Sequence, residues 1–311
     1  MEAQARAQTA LKVGTARLSI ISNSALVLMK LAAGLYMGSV SVISEALHSL
    51  VDLLAAVAAF LSVRVSGRPA DIRHPFGHGK FESMAGMFEG ALIVLAAAGI
   101  FYASIRRIMA GELALREPLL GAAVMVFSAV ANVIVSRRLF KVGEETDSIA
   151  LQADAWHLRT DVYTTLGVLV AMVGIRVGRW VGLPLIELLD PLAAIAVALI
   201  IINAGLGISR KSFEHLADEV LPAQEQEAVK RLLQEHYAQF VEYHELRTRK
   251  AGPERHIDLH LSLPASMPVS EAHEVCDHLE ADIRNLVPGA QVLIHVEPVR
   301  PAPRRPGESA R

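Results

Sequence analysis

Two short stretches of an otherwise apolar region carry groups able to bind a cation. Residues 44–52 read SEALHSLVD and residues 153–161 read ADAWHLRTD. Both follow the pattern acidic–Ala–x–His–x–x–x–Asp. Residues four apart share one face of a helix, so His48 sits over Asp52 and His157 over Asp161. Two such helices facing each other offer two imidazoles and two carboxylates, an N2O2 set suited to tetrahedral Zn2+. The two carboxylates also balance the charge of the ion. Glu45 and Asp154, three residues before each His, are outer-sphere partners or part of an entry vestibule. A single His–Asp pair of this kind reads as a polar contact between helices; two copies in matched positions point to a metal site. A ligand imidazole must be neutral, so binding metal releases protons. With a reference value near 6.5, an imidazole can carry a proton once the metal has left. One site open alternately to two sides then exchanges metal for protons.

The elements that must position these residues are membrane spans. Six apolar segments of the length a bilayer requires occur at 14–36, 41–63, 84–106, 117–139, 149–174 and 187–209. They are rich in small residues, which let helices approach closely in lipid. The matched stretches fall in the second and fifth segments, as in a repeated three-helix unit. Ionisable groups are costly inside a span, by roughly 2.5–3.5 kcal/mol each, so they need a reason. Lys30 is assigned no role, and Asn132, with Ser128 and Ser136 at four-residue steps, reads as contact between helices rather than ligand. A soluble helical bundle is disfavoured because its helices should show a charged face.

Charge divides the 311 residues in two. Residues 1–211 hold 19 Lys/Arg against 15 Asp/Glu, and residues 212–311 hold 11 against 17 together with 8 of the 12 His. The first part is apolar, with basic loops; the second is of ordinary polarity and acidic. Twelve Lys/Arg flank one side of the spans and five the other. This bias predicts that both termini and the C-terminal domain are cytoplasmic. The polar start, MEAQARAQTA, does not resemble a secretory signal. The single Cys, Cys276, excludes a disulfide framework and fits a reducing compartment. A net charge of −2 argues against a nucleic-acid partner.

The loop between the second and third spans reads GRPADIRHPFGHGKFES. Asp71, His74 and His78 are spaced three and four apart, while Pro75, Gly77 and Gly79 oppose a regular helix. Taken alone, the loop is either an ordinary surface turn or a fold that gathers three ligands. Past Phe213 the pattern predicts a helix at 223–238, strands at 241–249 and 255–263, a helix at 270–286 and a strand at 291–297. This α-β-β-α-β order is a small two-layer α+β domain. In HIDLHLSL, Ile257, Leu259, Leu261 and Leu263 alternate toward a core, with His256, Asp258 and His260 on the other face. His295 and Glu297 share one face of the last strand. The expected domains are a six-span membrane domain (1–212), a cytoplasmic domain (213–300) and a disordered tail (301–311).

The paired H-x-x-x-D motifs, the six spans, GSVSVISEALHSLVD, HPFGHGKFES and the His-rich C-terminal domain resemble the cation diffusion facilitators. The likeness is to the family's bacterial ferrous-iron and zinc efflux transporters, and it runs from about residue 12 to 298. It implies an all-α membrane domain followed by a metallochaperone-like cytoplasmic module. It also implies a homodimer in the inner membrane that exports divalent metal against proton entry. Its transport site maps onto His48, Asp52, His157 and Asp161. Some members have Asp where His48 stands, and the His version is associated with zinc; Cd2+, Co2+, Fe2+ and Mn2+ remain further substrates. The resemblance implies a second ion at Asp71, His74 and His78. It also singles out His244, His260, His273, His295 and Glu297 as cytoplasmic ligands. The rivals are a passive divalent-metal channel and an intramembrane metalloenzyme. The enzyme would need H-E-x-x-H, whereas His273, Glu274 and His278 are one residue too widely spaced and outside the spans.

Overall fold

In a computed structural model, residues 2–37, 40–110, 119–181, 188–236, 239–252 and 254–299 are described. The expected tail at 301–311 lies outside them, as do the side chains of Glu45 and His48. The chain divides into two compact units, Met1–Leu216 and Ala217–Arg311.

Among its described residues the first unit contains six long helices: α1 (Glu2–Met37), α2 (Val40–Ser66), α3 (Lys80–Ala110), α4 (Leu119–Glu145), α5 (Ile149–Val181) and α6 (Leu189–Leu216). Each contains or nearly coincides with one apolar segment of the sequence, and most extend beyond it. Helix α1, for example, has 36 residues and includes the polar N-terminal stretch. The apolar run marks only the part that lipid can cover; the hydrogen-bonded helix continues into water on either side. Among the described residues, five helices contain stretches long and apolar enough to cross a membrane. Helix α2, at 27 residues, equals α4 in length.

Exposure decides between a lipid and an aqueous setting. Leu28 is 67 % exposed, Leu95 68 % and Ile134 64 %, each in the middle of a long helix. Apolar side chains turned outward on successive helices suit hydrocarbon, not water. Polar residues such as Asp52, Glu82, Glu89, Asp154 and His157 are buried within the bundle. The helices pair chiefly as α1 with α2, α3 with α6, and α4 with α5, and α5 also packs on α2 and α3. Small residues make the α3–α6 approach possible. A Cβ at Gly205 would come within 3.1 Å of the Gly90 carbonyl oxygen, which backbone cannot accommodate cheaply.

The second unit contains α7 (Ala223–Glu235), β1 (Glu242–Ala251), β2 (Glu254–Leu263), α8 (Val269–Leu286) and β3 (Ala290–Pro298). This is the expected α-β-β-α-β order. The sheet order is β1-β2-β3, with β1 antiparallel and β3 parallel to β2. The alternation in β2 works as the period-two pattern requires. Ile257, Leu259, Leu261 and Leu263 are buried against Val229 and Leu233 of α7 and against Cys276, Leu279 and Ile283 of α8. Burial raises the Cys276 thiol above its ordinary value, so it acts as a core residue rather than a reactive one. His256, expected on the open face, is buried.

Candidate metal centres

Helices α2 and α5 bring the two sequence motifs together. His157 Nε2 lies 3.0 Å from Asp52 Oδ1, and both residues are buried. The other ring nitrogen, Nδ1, is buried without a hydrogen-bond partner. Asp161 follows one turn later on α5, within electrostatic range of the imidazole. Its Oδ2 accepts a hydrogen bond from Asn132 Nδ2 of α4 at 3.3 Å. Asp161 also lines a cavity of about 590 Å3 with Lys30, Ser128, Asn132 and Asp190. Asp52 and His157 thus meet, with Asp161 one turn further along α5, although among the described residues these three do not bring their ligand atoms within 4.8 Å of one another. The fourth, His48, is one turn before Asp52 on α2, with its side chain outside the described residues.

The loop residues also converge. Asp71 Oδ1 accepts hydrogen bonds from the backbone N–H of Arg73 (2.8 Å) and of His74 (2.7 Å). Such an Asx-type turn folds the chain back on itself without a helix. Gly77, at φ 80°, supplies the left-handed position that returns the chain to His78. The two rings are then 4.5 Å apart, and Asp71 lies 3.4 Å from each. The His74 N–H, chiefly, holds the Asp71 carboxyl below its usual range, with the Arg73 N–H adding to it. One ligand atom from each of Asp71, His74 and His78 lies within 4.8 Å of the others. His78 is buried and its Nδ1 lacks a partner, an arrangement that fits a cation.

Sheet register builds the third cluster. His244 pairs with His260 across β1 and β2, and His260 with His295 across β2 and β3. Three imidazoles therefore stand in one row across the strands, with rings 5.2 Å and 4.7 Å apart. Glu297, two residues along β3, reaches His260 Nδ1 at 3.2 Å and His244 Nε2 at 3.6 Å. His244, His260 and Glu297 offer ligand atoms within 4.8 Å of one another. His295 is beside them, 3.7 Å from Glu297. His273 is not in the group; it is exposed on α8, 3.7 Å from Asp277.

With this geometry in hand, relatives are informative. The profile of the cation efflux transmembrane domain matches residues 16–217, and that of the cation efflux protein cytoplasmic domain matches residues 221–299. The chain belongs to the cation efflux family. It is 33 % identical to the cation-efflux pump FieF of Cronobacter sakazakii over 279 residues, 90 % of each chain. It is 36 % identical to an uncharacterised transporter of Synechocystis over 271 residues, 87 % of this chain and 85 % of that one. A solved structure of CzrB, described as a candidate zinc transporter, is 42 % identical and covers 26 % of this chain and 99 % of its own, with a TM-score of 0.25. This cation efflux protein is therefore a multi-pass membrane transporter of divalent metal cations, which sets aside the metalloenzyme. Its cytoplasmic dimerisation domain indicates a homodimer.

Four residues of this cation efflux chain do more than their spacing indicated. Asn132 is a contact between helices, as its spacing suggests, but the residue it contacts is Asp161. Lys30 is buried and donates to Ser49, the residue after His48, at 2.7 Å. Glu245 sits at φ 50°, where the β1–β2 register shifts, and lies 3.8 Å from His260. A hydrogen bond from Arg247, and then the His260 imidazole, hold the Glu245 carboxyl below its usual range. Glu82 collects Lys12, Ser66 and Ser148 around one carboxylate. A charged residue fifteen positions from a His at bulged register gives no periodic signal, and neither does a carboxylate whose partners are up to 70 residues away.

Proposed function

We propose that this transporter exports Zn2+ from the cytoplasm by alternating access, in exchange for protons, through a site formed by His48, Asp52, His157 and Asp161. The contact between Asp52 and His157 carries the reading. It joins two helices at the residues that the sequence repeat singles out, inside a bundle whose outer surface is apolar. Nitrogen and carboxylate oxygen donors of this kind suit Zn2+, with other first-row divalent ions and Cd2+ as further substrates. The same imidazole that binds metal when neutral accepts a proton when the metal leaves, which supports exchange over passive flow. The Lys/Arg bias supports an inner-membrane protein with cytoplasmic N and C termini. On this reading residues 1–212 carry transport and residues 213–300 carry metal binding and dimerisation.

Reconstitution into zinc-loaded or pH-jumped proteoliposomes tests it. Zinc uptake is expected to follow an imposed pH gradient and to drive an opposite movement of protons. Zinc flux unchanged when the gradient is removed, with no proton counterflow, favours a channel and overturns exchange.

Asp71, His74 and His78 form a second metal position in this reading, and His244, His260, His295 and Glu297 supply the cytoplasmic one, without the His273 that the resemblance had included. His260 is the central residue of its row, touching Glu297, Glu245 and both neighbouring rings. The expected result for His260→Ala in the full-length protein is a loss of zinc affinity at that site of at least about tenfold, read by titration calorimetry. An unchanged set of binding isotherms removes the cluster from the list of metal sites.

A further inference from the structure

Helix α3 carries two fully buried glutamates seven residues apart, Glu82 and Glu89, and they are provided for in opposite ways. The Glu82 carboxylate receives the Lys12 ammonium at 2.9 Å and the hydroxyls of Ser66 and Ser148. Its surroundings are built for a charged group. Glu89 has no such provision: neither carboxyl oxygen meets a hydrogen-bond partner or a cation among the described residues. Within its electrostatic range on α5 is Asp154, also 0 % exposed, whose two oxygens have no partner in hydrogen-bond geometry among the described residues. The Ser19 hydroxyl of α1 lies beside Asp154, buried and itself without a partner.

Beside Glu89 on α3, α6 packs Ser209 on Gly90 and Ser212 on Gly86. The titratable groups of α6 are Asp190, paired with Arg107 at 2.9 Å, the buried His215 near its C-terminal end, and Arg210 and Lys211, engaged at the exposed surface with Glu214 and Gln152. Helix α5 adds His157, one turn from Asp154, and α2 adds Asp52 within its electrostatic range. The nearest charge on α3 itself is Glu82, which Lys12 already neutralises. Two neighbouring carboxylates removed from water, with no cation and only the Ser19 hydroxyl beside them, cannot both remain ionised. Nor do they belong to any described group of three ligand atoms close enough to hold a metal ion.

We propose that Glu89 and Asp154 form a proton-binding site of the transport cycle, separate from the four metal-coordinating residues. The pair holds one proton while the Asp52–His157 contact is free of metal. When a dication binds one helical turn from Asp154, its charge repels that proton, which leaves to water on the side to which the site is open. The proton is taken up again when the metal departs. The chain thereby moves a proton in addition to any carried by His157. This rests on the exchange reading above and assigns part of the exchanged charge to a second place.

The test titrates full-length protein with Zn2+ in weakly buffered detergent, reading bound zinc by equilibrium dialysis and released protons with a pH-sensitive dye. In Glu89→Gln the number of protons released per chain at zinc saturation is expected to fall by about one relative to wild type. The value for Asp154→Asn should fall by the same amount, and the double variant no further, because one proton is shared. Imidazoles at the other metal positions contribute equally to all four proteins. Equal proton release from wild type and Glu89→Gln overturns the proposal while leaving exchange intact. Wild-type protein that releases no protons, and whose flux ignores a pH gradient, overturns both. Should the variants fail to fold, infrared difference spectra of wild type are expected to show a protonated carboxyl band lost on adding Zn2+. Glu89→Asp should shift that band. A spectrum without it also overturns the proposal.

Discussion

Replacing Asp52 with Ala is expected to reduce zinc flux in proteoliposomes by more than about 100-fold. Loss of an outer-sphere partner alone usually costs a metal site about 10–100-fold, and removal of a ligand should exceed this. The structure makes Asp52 the sharpest choice among the transport residues. It is buried on α2 and is the group that His157 of α5 touches, so the two helices meet through it. Asp52→Asn keeps the volume and one acceptor oxygen but removes the charge. A large loss in both variants, with the dimer still intact by size exclusion, assigns the effect to the ion rather than to packing. Flux within about threefold of wild type in Asp52→Asn would mean that the contact is a neutral polar bridge between helices, and the transport assignment would fall.

How far the sequence could lead depends on the range of the interactions involved. Helices α1 to α6 are legible because the bilayer imposes one long apolar run per span, and the strands of the second unit because burial alternates along HIDLHLSL. The convergence of Asp52 and His157 was foreseeable because a repeat within the chain marked both. The loop at Asp71 was half legible. Its ligand spacing is plain, but the turn that gathers the ligands depends on two backbone N–H bonds and a left-handed Gly77, which spacing does not encode. The cytoplasmic row was legible residue by residue, whereas its membership is set by strand register. Register puts His295 opposite His260, and it leaves His273 on a helix. Least legible were the buried acids of α3. Glu82 and Glu89 look alike in sequence, and only their partners, brought from α1, α2 and α5, distinguish a structural charge from a titrating one.

That distinction gives the second large effect. Glu82→Ala is expected to destabilise the membrane unit by about 3–5 kcal/mol, seen as a marked fall in the thermal midpoint of the detergent-solubilised protein. The carboxylate joins α1 through Lys12, α2 through Ser66 and the residue preceding α5 through Ser148. Removing it leaves the Lys12 ammonium, 5 % exposed, without its counter-charge. An uncompensated buried charge costs more than the pair contributed. Lys12→Met should therefore be milder, because the carboxyl left behind can take up a proton and still accept from Ser66. Combining Lys12→Met with Glu82→Gln should recover part of what Glu82→Ala loses, since no net charge then remains buried. Additive losses from Lys12→Met and Glu82→Gln would show that the two side chains act independently. The ends of α1, α2, α3 and α5 would then have to be held by the apolar contacts among Ala16, Val63, Ala85 and Ala150 instead.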